Sequence, residues 1–285
     1  QPPAWATMPT EPPLSSAASA GHISEERLPN GIVRLTLQHP GKFNAMSRAM
    51  WGQLREHFTA IQQDHGVRCV WLRGADGHFC AGGDIGEYPS FRFDTEALRH
   101  FHEVEVWGGL QAMLDCDVPI LAQLQGNCMG AGVEMASCCD LRLAARSARF
   151  GAPIARLGFP MAPREAALVA QAVGHTAARA MLLAAQVCDA PALGAQGFLT
   201  ELHDDAALAD ACEALAQRTA SLAPQAARAN KQTFRRLNRA LAGVEYAREA
   251  PDLIAGWHAQ AYDYADSAEH HEGIAAFLAK RPPVF

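Results

Sequence analysis

The chain has 285 residues, of which 49% are hydrophobic and 19% charged, and a formal net charge of −6. That composition belongs to a globular protein long enough to bury a core without disulfide staples. Its mild acidity and the lack of a Lys/Arg stripe exclude nucleic acid as an expected partner. No apolar run reaches the roughly 18 residues that a membrane span requires.

The first twenty residues, rich in Pro, Ala and Ser, lack the charged-then-apolar pattern of a secretory signal. They read as a disordered or appended extension, giving an expected organisation of 1–21 extension, 22–200 core and 201–285 helical C-terminal region. "GIVRLTL" (31–37) alternates in the period-two pattern of a half-buried strand. Ser47 is placed to cap a helix carrying Met50, Leu54, Phe58 and Ile61 at helical spacing. "VRCVWLRG" (67–74) predicts a buried strand that ends in the loop "DGHFCAGGD". A helical stretch of weak periodicity (94–115) leads to a second buried strand, "VPILAQLQG" (118–126). "DLRLAA" (140–145) predicts a further strand. From Arg164 onward the chain reads as alanine-rich helix broken near Pro191, Pro224 and Gly243. Strands first and helices later indicate an α/β or α+β fold with a helical tail.

Eight cysteines (Cys69, Cys80, Cys116, Cys128, Cys138, Cys139, Cys188, Cys212) lie in or beside apolar runs. With no CxxC spacing, they are expected as buried, reduced thiols in a cytoplasmic protein, and no metal is expected. "HFH" (100–102) and "HHE" (270–272) lack a third ligand at a diagnostic spacing and read as surface histidines. Arg142 and Arg149 read as surface or interface charges.

Two glycine-rich turns carry the chemistry. "CAGGD" (80–84) follows one strand, and "MGAG" (129–132) follows another and opens a helix. Such turns let the backbone approach a ligand and leave N–H groups pointing outward. Placed side by side, they would form a two-donor cradle for a negative oxygen. Glu134, three residues after Ala131, shares a helix face with the second turn. A lone acid among glycines, alanines and cysteines either caps a helix or does chemistry.

Taken together, these segments resemble the enoyl-CoA hydratase/isomerase family, the crotonase superfamily, over residues 22 to 285. "GKFNAMS" (41–47) is similar to its CoA-binding segment, "FCAGGDI" (79–85) and "GNCMGAGVEMASCCDLRLAARSARFGAP" (126–153) to its two oxyanion-hole motifs, and "EGIAAFLAKRPPVF" (272–285) to its usual ending. The resemblance implies a spiral of β-β-α repeats with a C-terminal helical region that supports trimers or dimers of trimers. It also implies an acyl-CoA thioester ligand, with coenzyme A entering only as part of the substrate and no separate cofactor. By the same resemblance the oxyanion donors fall on the Gly83 and Ala131 amides, and Glu134 on the first of the hydratases' two glutamates. Lys42, Phe43, Ala45, Ala81, Asp84, Ile85, Ile154 and Ala162 fall on substrate-binding positions, while Phe277 and Lys280 match tail positions that approach CoA.

The sequence departs from the hydratase pattern at Ile154, which stands where the second glutamate is expected. "MAPRE" (161–165) replaces a Gly-rich turn. Glu165 reads as a first-turn acid favoured by the helix dipole, with a relocated second acid as the alternative. Asp84 reads as fixing its own loop. Tyr88, Phe91 and Trp107 are expected to line the acyl pocket. The sequence thus points first to an enoyl-CoA hydratase-like enzyme. Isomerase, decarboxylase or hydrolase chemistry, and a non-catalytic acyl-CoA-binding protein, stand as alternatives.

Overall fold

The computed structural model describes residues 20–242 and 267–285. The expected N-terminal extension up to residue 19, the helix break at Gly243 and the side chain of Phe277 lie outside the described residues. In chain order, β1 (His22–Leu28), β2 (Ile32–Gln38), α1 (Arg48–Gln63) and β3 (Cys69–Gly74) come first. Next are α2 (Thr95–His100), a π-helical turn (Phe101–Val106), α3 (Trp107–Asp115), β4 (Ile120–Leu124), β5 (Asn127–Met129) and α4 (Ala131–Cys138). The third group is β6 (Leu141–Ala145), β7 (Arg149–Gly151), α5 (Pro163–Val173), α6 (His175–Ala184), β8 (Val187–Asp189) and α7 (Ala190–Ala195). Last are β9 (Glu201–His203), α8 (Leu208–Ala220), α9 (Pro224–Ala242) and α10 (Ala268–Leu278).

The chain winds as a spiral. One sheet has the order β1-β2-β3-β4-β6-β9, in which β1 is antiparallel to β2 and every later strand is added in parallel. Parallel addition needs a crossover each time, so each turn of chain lays one strand beside the last. A smaller sheet, β5-β7-β8, collects the short strands that follow the larger ones. All five residues of β4 are buried, as a central parallel strand covered on both faces requires.

The predicted helix over residues 48–63 forms as expected. Ser47 Oγ accepts from Met50 N–H, and Met50, Trp51, Leu54, Phe58 and Ile61 form a buried stripe. Each of these large side chains contributes roughly 1.5–3 kcal/mol by leaving water. The weakly periodic stretch predicted over 94–115 is a helix interrupted by the π turn at 101–106. A π turn shifts side chains off the 3.6-residue stripe, which explains the blurred pattern.

Three expectations need correction. β1 was not predicted, because "HISEERL" carries charge at most exposed positions and pairs only along one edge. The second half is not all helix, since β8 and β9 complete the two sheets with three residues each, too short to leave a periodic signal. Arg142 is not a surface charge: its guanidinium donates to the carbonyls of Phe198, Ala136 and Cys139, and burial lowers its pKa. All eight cysteines are buried free thiols.

Gly74 closes β3 and lets the chain turn back toward the first glycine-rich loop. A Cβ there would lie 1.9 Å from the His78 carbonyl oxygen and 2.3 Å from that of Phe79. Because both obstacles are backbone, Gly74→Ala is expected to cost about 3 kcal/mol or more, read as a lower urea midpoint at unchanged m-value.

Candidate active site

The two glycine-rich turns lie zipped together. Cys80 N–H donates to the Asn127 carbonyl at 2.9 Å, and Met129 N–H donates back to the Cys80 carbonyl at 2.9 Å. One residue later Gly130 adopts φ 47°, ψ −111°, a conformation that a side chain would resist, and α4 starts at once with Ala131. The first turn is held from its other side, where Met46 N–H donates to the Gly82 carbonyl and Asp84 N–H to the Met46 carbonyl, both at 2.8 Å. These bonds engage the neighbours of Gly83 and leave its own amide out. Among the described residues no acceptor pairs with the amide of Gly83 or of Ala131. Both residues line one cavity of about 330 Å³.

Glu134 lines that cavity from the first turn of α4 and is only 6% exposed. No described residue donates a hydrogen bond to its carboxyl. Burial, and then the charge of Glu165, push its pKa well above the ordinary carboxylate range. Glu165 lies across the cavity in the first turn of α5 and is 3% exposed. It is the first-turn acid that its position in the sequence suggested, and it is buried in the cavity wall as well. His102 Nδ1 lies 2.8 Å from Glu165 Oε1, a hydrogen bond between ring and carboxyl.

His102 is accordingly not a surface histidine. The π turn at 101–106 directs it inward, where it lines the cavity beside Glu165, 63 positions away in the chain. The two carboxyls are poised differently. One has its pKa raised by burial and a neighbouring charge, and the other has a hydrogen-bonding imidazole. Two carboxyls in different surroundings within one cavity are an arrangement that acid–base chemistry uses.

Of the remaining positions singled out in the sequence, Ala81, Ile85 and Ile154 line the cavity. Lys42, Phe43, Ala45, Asp84 and Ala162 do not. Asp84 Oδ1 accepts from Gly86 N–H at 3.1 Å, and its Oδ2 accepts from Lys42 Nζ at 2.7 Å, so the two residues brace the loop. Phe43 is 57% exposed and tilts against His78, while the buried Ala45 carbonyl faces His39 Nδ1 at 2.6 Å. The 41–45 segment is thus a ledge beside the first turn, tied down by the buried Asn44 amide to the carbonyls of Ala75 and His78. Ala162 precedes α5, and its carbonyl accepts from Ala166 N–H. Lys280 is exposed at the C-terminal end, with φ 54°.

The aromatic wall differs from expectation. Tyr88 lines the cavity, but Phe91 is buried behind it, and Trp107 faces a separate surface cleft. Phe101, Phe159 and Arg92 supply the wall instead; none of them carries a local motif that would have announced it. The Tyr88 hydroxyl packs against Gly83, only 2.2 Å from where a Cβ would stand, so a larger residue at 83 would displace the tyrosine. Burial pushes the Tyr88 phenol up to about 12 and does the same to the Cys80 thiol beside the turn. Both stay protonated at neutral pH, so Cys80 is no nucleophile.

Comparison with known proteins agrees with this geometry. The family model described as enoyl-CoA hydratase/isomerase matches residues 27–285. A 2,3-dehydroadipyl-CoA hydratase of Escherichia coli K12 is 28% identical over 89% of this chain and 94% of its own. A 1,2-epoxyphenylacetyl-CoA isomerase of the same organism is 27% identical over 90% and 95%. Among solved structures, an enoyl-CoA hydratase/carnithine racemase from Magnetospirillum magneticum superposes with a TM-score of 0.83 at 33% identity, covering 92% of this chain and 94% of its own. From fold, cavity and relatives together, the chain belongs to the enoyl-CoA hydratase/isomerase family.

Proposed function

We propose that the protein hydrates a 2-enoyl-CoA thioester, using Glu134 and Glu165 as its two acids. The observation that carries this reading is Glu165, a second buried carboxyl lining the same cavity as Glu134 and bonded to His102. It answers the loss of an acid at Ile154, which supports hydration over the one-acid alternatives and over a binding-only role.

In this scheme the thioester carbonyl lies between the amides of Gly83 and Ala131. Glu165, with His102 holding its far side, accepts a proton from water as the oxygen adds to the β-carbon. The electron pair of the double bond moves onto the thioester oxygen, where two fixed N–H dipoles stabilise the enolate without reorganising. Glu134, kept neutral by burial, gives its proton to the α-carbon and closes the addition. The proton then held by Glu165 returns to Glu134 before the next turnover. The apolar walls exclude bulk water and strengthen each of these interactions.

The test is conversion of crotonyl-CoA to its 3-hydroxy product, followed by loss of the conjugated thioester absorbance and by product mass. Glu165→Gln is expected to lower kcat about 10²-fold or more. His102→Ala should lower it less, since the imidazole acts through the carboxyl that it holds. Full activity in Glu165→Gln would remove the second acid from the scheme. Release of free CoA or a shifted double bond, in place of the hydroxy product, would replace hydration with hydrolysis or isomerisation.

A further inference from the structure

The cavity wall contains a cation that forms no direct ion pair among the described residues. Arg92 lines the cavity, and its guanidinium lies 3.7 Å from the Phe159 ring centre and 4.6 Å from that of Tyr88. Among the described residues it forms no ion pair, and no acceptor takes a hydrogen bond from its side chain. Most of the remaining wall is apolar or aromatic, and burial lowers the Arg92 pKa, with Tyr88 and Glu165 acting in the opposite direction. Both rings hold the guanidinium within cation–π range and stand at 74° to each other, so they cover it from two directions. Neither supplies the carboxylate that its planar N–H fork matches.

Position narrows the ligand further. The Tyr88 hydroxyl touches Gly83, and Arg92 sits over the same tyrosine ring. The guanidinium therefore rests on the same tyrosine whose hydroxyl reaches Gly83, the residue whose amide is proposed to hold the thioester oxygen. Arg156, the cavity's other arginine, is exposed and directs an N–H to the Ala185 carbonyl.

We infer that Arg92 receives a carboxylate at the far end of the acyl group, so that the substrates are mono-CoA thioesters of short dicarboxylic acids. The inference deepens the acyl-CoA reading and rests on it. A chain-end carboxylate would supply the missing counter-charge at Arg92 in a low-dielectric wall. A neutral chain would cover the half-buried guanidinium without giving it a direct ion-pair partner.

Binding of saturated thioesters tests this without any turnover. Calorimetric titration of the full chain with succinyl-, glutaryl- and adipyl-CoA is compared with butyryl-, valeryl- and hexanoyl-CoA, and with free CoA. The best dicarboxylic thioester is expected to bind roughly 30- to 1,000-fold tighter than its neutral counterpart of equal length. Arg92→Leu should collapse that ratio, and Arg92→Lys should restore part of it. Equal wild-type affinities for the two series would overturn the inference, and this outcome needs no variant to fold. So would an Arg92→Leu that weakens free CoA as much as the dicarboxylic thioester, because the guanidinium would then serve the nucleotide. The two readings fail separately. Preferential binding without hydration of any enoyl thioester leaves Arg92 in place and removes the hydratase; hydration without preference does the reverse.

Discussion

Glu134→Gln is expected to abolish most of the activity while making the folded protein more stable at neutral and alkaline pH. Loss of the proton donor should lower kcat about 10²- to 10⁴-fold. The stability gain comes from the environment. Glu134 is buried with no described hydrogen-bond donor, and its pKa is raised first by that burial and then by Glu165. A carboxyl whose folded-state pKa is raised holds its proton in the native state after the unfolded chain has released it. Its favourable contribution is complete below the ordinary carboxylate range and is lost as pH climbs toward the raised value. Wild-type protein should therefore lose stability across that window, and the glutamine variant should not.

Neutralising a buried, unpaired acid is worth roughly 1–3 kcal/mol. For a chain of this size that is about 2–9 °C in Tm. Thermal unfolding of both proteins at pH 4 and pH 8 reads the effect directly: near-equal Tm at pH 4, and a higher Tm for the variant at pH 8. The same proton governs the rate. The wild-type kcat should fall on the alkaline side as Glu134 ionises, and the residual activity of the variant should lack that limb. Equal Tm at both pH values would mean that Glu134 ionises freely, and the proposed donor role would go with it.

The second large effect concerns the backbone. Ala131→Pro removes a single N–H at the first position of α4, where proline is sterically at home and the lost donor has no intrahelical partner. The preceding Gly130, at φ 47° and ψ −111°, lies in the mirror image of the extended region that a residue before proline prefers. Fold and thiol burial should survive, as judged by far-ultraviolet circular dichroism and Tm. The kcat is expected to fall about 10²- to 10³-fold, the usual consequence of removing one donor from a developing oxyanion. An Ala131→Pro enzyme with near wild-type turnover would show that the second amide takes no part. Ala131→Gly, which keeps the N–H, serves as the control for the changed side chain.

Much of this architecture could be read from residue order, because short-range physics determines it. The helix after Ser47, the buried strands around Val70 and Leu121, and the two glycine-rich turns all follow from neighbours within a helical turn or a strand pair. The placement of Glu134 on the face of the second turn is of the same kind. The resemblance of those segments to the enoyl-CoA hydratase/isomerase family then extended the reading to the spiral and the thioester. β1, β8 and β9 escaped because short or charged strands draw their stability from the sheet they join and carry little pattern of their own.

Tertiary packing alone decided how the acid that shares a cavity with Glu134 is placed. At the start of α5, Glu165 has the appearance of an acid favoured by the helix dipole, and His102 that of a polar residue on a blurred helix. The π turn and the start of α5 bring them to 2.8 Å in the cavity that Glu134 also lines. The unpaired guanidinium of Arg92 over Tyr88 and Phe159 has the same origin. Periodicity constrains residues within a few positions of one another, whereas burial and counter-charge depend on segments dozens of positions apart. The sequence by itself determined the glycine-rich turns and their acid; only the folded chain determined what surrounds that acid.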